Sequence, residues 1–298
     1  MEEVHLSDHG NASGNLIVPV LGMARSGSSA TARVLSLCGG RLPESLLSPN
    51  RWNPSGYWEP TTTVQANARY LRDSGSGFFD AQLDQGIPSN EPLNRAFIAE
   101  ITGLLRSYRG TAANAPLILK DPRIGILLPF WLEAMAAENL SPRIVIPVRH
   151  PNEVVSSLYA WKGVPQRHAA ELWMKYNLLT ERHSRHLPRV FVSYSRLLRD
   201  WRGEIATIAQ SLGLPLLPND DVDLFLDPGL RHVISDEGAV STDLPWLKDV
   251  YRALSLACHG GGLDIALLDE AHLDMSRAQA AGQRPLLRHF GIEFGLAL

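Results

Sequence analysis

The chain has 298 residues, 45% of them hydrophobic, and a formal net charge of −3. Length and apolar content suffice for a large buried core, in one large domain or two small ones. The near-neutral charge excludes a global basic field of the kind that binds nucleic acid or an anionic membrane surface. Two distant cysteines, Cys38 and Cys258, form neither a disulfide framework nor a zinc set, and they fit a reducing cytoplasm.

Residues 1–14 are polar and acidic where a signal peptide would be basic and then apolar, so they read as a disordered leader, with 15–298 as one domain. The apolar run 16–21 is far shorter than the about 20 residues that span a bilayer. It reads as a strand, followed by a Gly/Ser-rich turn and a helix over 31–37. Pro19 inside it predicts a bulge, an edge strand or a misread pattern, because a central strand needs every backbone donor. Residues 51–60, rich in Trp, Pro, Gly and Asn, read as a shaped loop or short strand. Helices are expected over 61–72, 92–108, 126–138, 152–161 and 167–185. Strands are expected over 116–119, 143–148 and 190–192. An amphipathic stretch covers 196–212, and the helical segments 243–257 and 267–280 belong to a C-terminal part, 215–298, with no evident position. Short apolar strands alternating with helices predict a three-layer, P-loop-like α/β fold with a central, mainly parallel sheet flanked by helices. Ligands in such folds sit at the carboxyl ends of the strands, here carrying the segment from Gly22 to Ser29, Lys120, Arg149 and Tyr194.

Gly22-Met23-Ala24-Arg25-Ser26-Gly27-Ser28-Ser29 has the glycine spacing of a Walker A loop, whose backbone amides and helix N-terminus cradle an anion. The Walker lysine is missing: Ser28 stands there, and the nearby cation is Arg25, two residues before Gly27. A second anchor is Arg149-His150-Pro151, with Ser157 eight residues after the arginine; strand tip and helix face can bring Arg149 and Ser157 together.

These two motifs resemble the 5′-phosphosulfate loop and the 3′-phosphate motif of sulfotransferases that use 3′-phosphoadenosine 5′-phosphosulfate (PAPS). Leu119-Lys120-Asp121-Pro122-Arg123, Val192-Ser193-Tyr194 with Leu197-Leu198, and Asn53-Pro54 with Gly56-Tyr57-Trp58-Glu59 are similar to segments of the bacterial, carbohydrate-type members. The resemblance runs from about Leu16 to Pro215. It implies that Gly22, Arg25, Ser26, Gly27, Ser28, Ser29, Arg149, Ser157 and Tyr194 bind PAPS, with Tyr194 facing the adenine. It implies Glu59 as general base, Lys120 beside the transferred group, and Arg25 stabilising the leaving phosphate, with no metal. Arg25 and Arg149 are expected at opposite ends of bound bisphosphoadenosine, with Glu59 and Lys120 flanking the 5′ end. Arg231-His232 is a further candidate to close over the nucleotide, with His232 as second base candidate. Trp52, Tyr57 and Trp58 could stack on a sugar or an aromatic acceptor, and the expected acceptor is a hydroxyl on a glycan, lipid-linked or natural-product molecule. Two other readings share the loop: a P-loop kinase or nucleotide triphosphatase, with 117–121 as a Walker B strand, and a catalytically inactive nucleotide-binding protein.

Overall fold

The computed structural model describes residues 15–83, 90–109, 115–226 and 244–281. The expected leader, 1–14, and Arg231 and His232 lie outside the described residues. Five strands form one sheet: β1 (Leu16–Val20), β2 (Leu117–Lys120), β3 (Ser141–Pro142), β4 (Ile144–Val148) and β5 (Arg189–Ser193). The order is β2-β1-β4-β5, β3 also pairs with β1, and every pairing is parallel. β1, β2 and β4 are buried along their whole length, as expected for a sheet covered on both faces.

Side chains alternate between two cores. Ile17, Leu117, Leu119, Ile144 and Ile146 belong to one, with apolar residues of α2 (Thr61–Asp73), α3 (Glu91–Arg109), α4 (Leu128–Ala137), α5 (Pro151–Lys162), α6 (Gln166–Ser184), α10 (Leu247–Cys258) and α11 (Ile265–Ala280). Val18, Val20, Ile118, Val145 and Val192 belong to the other, with α1 (Ser28–Leu37), α7 (Tyr194–Arg199), α8 (Trp201–Leu212) and α9 (Asp221–Phe225). The result is the expected three-layer α/β architecture. It also places the C-terminal helices: α10 packs on β5, β4 and α6, and α11 packs on α10. Cys38 and Cys258 are both buried and unpaired.

Pro19 corrects the expectation of a bulge or an edge. β1 is a central strand, and its register is continuous: Leu16 faces Ser141 and Val20 faces Val145. The Arg143 amide donates to the Ile17 carbonyl at 2.8 Å, and the Leu21 amide donates to the Val145 carbonyl at 2.9 Å. Pro19 falls between these two bonds and has no N–H to give. The ladder loses one rung there, which is where β3 and β4 separate. The expected single stretch over 196–212 is likewise two helices. Asp200 adopts an extended backbone (φ −145°) that ends α7, and its carboxylate accepts from the Gly203 amide at 3.0 Å to cap α8.

Beyond β2 the chain turns through a short 3-10 segment, Pro122–Gly125, capped by Asp121. The Asp121 carboxylate is fully buried. It accepts from the Asn67 amide group (3.0 Å), the Arg123 backbone amide (2.9 Å) and the Arg123 guanidinium (2.9 Å), while the Asn67 oxygen accepts from Trp131 Nε1 (3.1 Å). Asn67 thus satisfies two buried polar groups at once. Asn67→Ala is expected to lower stability by about 1–3 kcal/mol, the usual cost of an unsatisfied buried polar atom, read as a lower urea midpoint at unchanged m value.

Candidate functional site

β1 runs into the turn Gly22–Gly27 where it lies beside β4. Connections from β1 and β4 lead to opposite sides of the sheet, so their carboxyl ends open the crevice in which such folds place ligands. The approach is close: a Cβ on Gly22 would meet the Pro147 carbonyl oxygen at 3.2 Å. Gly27 has φ +88° and precedes the first residue of α1, so the turn delivers the amide-bearing end of a helix to the crevice. Ser26 and Ser28 are buried, and the Ser26 hydroxyl has no hydrogen-bond partner within the protein.

The two predicted anchors meet. Arg149 donates from its guanidinium to the carbonyl oxygen of Arg25 at 2.9 Å, and its Nε donates to Glu153 at 2.8 Å. Arg25, itself left-handed (φ 71°), sends its Nε to the Ser157 hydroxyl at 2.8 Å and a terminal nitrogen to the Trp52 carbonyl at 3.1 Å. Tyr194 joins them: the Arg149 guanidinium lies 4.8 Å from its ring centroid, and a Cβ on Gly27 would fall 2.1 Å from a ring carbon. The Arg149 guanidinium thus reaches the Arg25 backbone, while the Arg25 side chain turns to Ser157. Loop and helix motifs come from distant segments, and their spacing along the chain says nothing of the direction in which Arg25 reaches. Among the described residues Arg25 has no carboxylate partner. Burial, and then the charge of Arg149, pull its guanidinium below the ordinary range.

Lys120 at the end of β2, Glu59 just before α2 and Ser29 in the first turn of α1 form a second cluster. Lys120 is almost completely buried and donates to the Glu59 carboxylate, to the Ser29 hydroxyl (3.2 Å) and to the Tyr57 carbonyl (3.3 Å). Lys120 does not pair with adjacent Asp121, which is committed to Asn67 and Arg123. Burial pushes the Glu59 carboxyl above the usual carboxylate range, against the opposing attraction of Lys120. Asn53 contacts Ser29 at 3.4 Å. Tyr57 is buried and donates to Asn50 at 2.9 Å, whereas Trp58 points the other way, stacked under Arg33 and edge-on to Phe225. Trp52 is exposed.

Several contributors were not singled out from the sequence. Glu153, four residues after Arg149 on one helix face, had a readable signal in that spacing. Trp161, 5.9 Å from the Arg25 guanidinium, and the Trp52 carbonyl had none. No group of three or more metal-ligating side chains occurs among the described residues, and none of their helices is long and apolar enough to cross a membrane.

No protein-family model and no curated protein matches the chain. Among solved structures, the chain is similar to the sulfotransferase domain from the Synechococcus PCC 7002 olefin synthase, at 20% identity and a TM-score of 0.45, over 94% of this chain and 98% of that one. It is also similar to the sulfotransferase domain from the curacin biosynthetic pathway, at 17% identity and a TM-score of 0.41, over 88% and 97%. These likenesses are too distant to carry residue roles across.

Gly27→Ala tests the packing of the loop against Tyr194, because both its left-handed backbone and its lack of Cβ are needed there. The variant is expected to melt at lower temperature, and adding Tyr194→Ala is expected to recover part of the loss in a double-mutant cycle.

Proposed function

We propose that the protein is a sulfotransferase that moves the sulfuryl group of PAPS to an acceptor hydroxyl. The observation that carries this reading is the uncompensated charge of Arg25, held beside Arg149 and bonded only to neutral oxygens. An anion placed against the Arg25 guanidinium supplies the counter-charge it lacks and offsets the opposing charge of Arg149. A phosphate against Arg25, Arg149 and Ser157 fits the 3′-phosphate of the co-substrate, with Tyr194 beside the nucleoside. The loop amides, with Ser26, Ser28 and Ser29, then serve the 5′-phosphosulfate. A nucleoside triphosphate is served poorly, because the loop has no Walker lysine and Asp121 is committed to the protein.

In the transfer, the acceptor oxygen forms a bond to sulfur while the bond from sulfur to the 5′-phosphate oxygen breaks. The electron pair leaves on bisphosphoadenosine, and the acceptor proton passes to Glu59. Lys120 contacts both Glu59 and Ser29, so it can hold the carboxylate and face the charge that develops at the sulfuryl oxygens and leaving phosphate. In-line positioning and fixed charges suffice for such a step in a dry site, and no metal is required. The acceptor is a small molecule, and a cytoplasmic location belongs to the same reading.

Bisphosphoadenosine and PAPS are expected to raise the melting temperature more than ATP with magnesium does. Equal or greater stabilisation by ATP–magnesium would overturn the reading in favour of a kinase or nucleotide triphosphatase. Tight bisphosphoadenosine binding without turnover on any acceptor would favour an inactive binding protein. Arg149→Ala is expected to weaken bisphosphoadenosine by about 1.5–3 kcal/mol, the usual value of a hydrogen bond to a charged group, in a calorimetric titration. Glu59→Gln is expected to leave that affinity nearly unchanged while lowering kcat.

The pH profile gives a separate check. A base with a raised pKa is ionised only above the ordinary carboxylate range, so the acid limb of kcat/KM is expected to lie above that range. Lys120 pulls the Glu59 pKa down, so Lys120→Met is expected to move the limb to still higher pH. A limb that stays in place in that variant would remove Glu59 from the proton transfer.

A further inference from the structure

The segment after α2 is held in an unusual way. Four consecutive carbonyls, those of Phe78, Phe79, Asp80 and Ala81, each bond to a side chain from a distant helix. Tyr176 donates to the first at 3.0 Å, His168 Nε2 meets the second at 2.7 Å, Lys175 donates to the third at 2.8 Å and Gln279 to the fourth at 2.9 Å. Lys175 is completely buried, and burial pulls its ammonium pKa down. A buried lysine is a costly way to hold one carbonyl, and none of these helix side chains belongs to the anion site or the Glu59 cluster. The segment carries Phe78, half-buried and 6.5 Å from the equally half-buried Trp161 ring.

Each of these rings touches a cation tied to one half of the site. Trp161 sits beside Arg25, and Phe78 lies 4.7 Å beneath the guanidinium of Arg123, whose charge acts directly on Glu59. Several of the polar groups around them are already spent, although Arg123 Nε is buried without a partner and Lys162 lies 5.4 Å from the Trp161 ring. Asp121 is committed as described, both Asp80 oxygens accept within their own turn (from Ser76 and the Gln82 amide), and Lys120 has three acceptors. Recognising a sugar needs several uncommitted donors and acceptors placed to fix its orientation; this wall offers rings instead.

We propose that Phe78 and Trp161 form the acceptor-binding wall, and that the acceptor carries its hydroxyl on a flat apolar body, an aryl or hydrophobic alcohol, and not on a glycan. The choice of reacting group rests on the sulfotransferase reading; the place of the apolar body rests on the wall alone. This departs from the glycan acceptor that the sequence resemblance included.

Two measurements separate the parts. The first is direct binding of 2-naphthol, followed by calorimetry without nucleotide. Wild-type protein is expected to bind it, and Phe78→Ala to weaken binding about tenfold or more, with Phe78→Leu intermediate and both variants keeping the wild-type circular dichroism spectrum. Bisphosphoadenosine affinity is expected to stay within about twofold in Phe78→Leu. Failure of 2-naphthol to bind, or equal binding by wild type and by folded variants, would overturn the wall whatever the enzyme's chemistry. The second is turnover with labelled PAPS on phenol, 2-naphthol, alkanols of rising length and simple saccharides. The expected result is kcat/KM rising with apolar area, and Phe78→Leu raising KM for 2-naphthol with kcat changed little. A preference for saccharides would overturn the acceptor class. Binding of 2-naphthol that depends on Phe78, with no binding of bisphosphoadenosine, would keep the wall and end the sulfotransferase reading.

Discussion

The candidate site depends on the close approach of two strand ends. β1 leaves the sheet against Pro147 of β4, at a separation that Gly22 permits because it has no side chain. That contact brings the Arg149 guanidinium onto the Arg25 carbonyl, where its charge acts on the Arg25 side chain. Glu153 balances Arg149 but leaves Arg25 with only neutral partners. Among the described residues no group neutralises the Arg25 charge, which lies where the fold presents amides and a helix terminus.

Lys120 and Glu59 show the opposite economy. Both are buried, and each is the main compensation of the other. Pairs of this kind contribute little net stability against their desolvation, and breaking one by removing a single partner is strongly destabilising. Their value lies in geometry: the ammonium joins the carboxylate to Ser29 in the first turn of α1, next to the Gly22–Gly27 turn. A shift of that loop is therefore felt at Glu59 through two hydrogen bonds.

What could be read from the chain follows a physical division. The strand, loop and helix at the N-terminus and the Arg149–Ser157 segment are local patterns, with their glycines and prolines where turns and helix starts need them. They were legible, and so was the alternation that implies a parallel sheet. Partners between distant segments were not. Nothing near Lys120 indicates that its charge goes to Glu59 and not to adjacent Asp121, because the choice depends on where α2 packs. Nothing near Arg25 indicates Ser157. Pro19 misled for a different reason: a parallel strand sends alternate amides to alternate neighbours, so one proline removes one rung and need not end a central strand. The split at Asp200 was hidden because the apolar positions of α7 and α8 continue one amphipathic pattern across it.

The order of the strands has a consequence of its own. β2, β1, β4 and β5 end in turn in Lys120, the phosphate loop, Arg149 and Tyr194. Neighbouring strands lie about 4.8 Å apart, so these four ends form a row of about 14 Å. Hydrogen-bonded backbone fixes that spacing, and side-chain substitution can hardly alter it. The sheet edge therefore acts as a ruler. A ligand lying along it would be measured against marks of fixed separation, from the Glu59 and Lys120 cluster at the end of β2 to Arg149 beyond β4, with the Tyr194 ring folded back between Arg149 and Gly27. Such an edge would discriminate by length as well as by charge: a molecule one strand spacing too short could satisfy either end but not both.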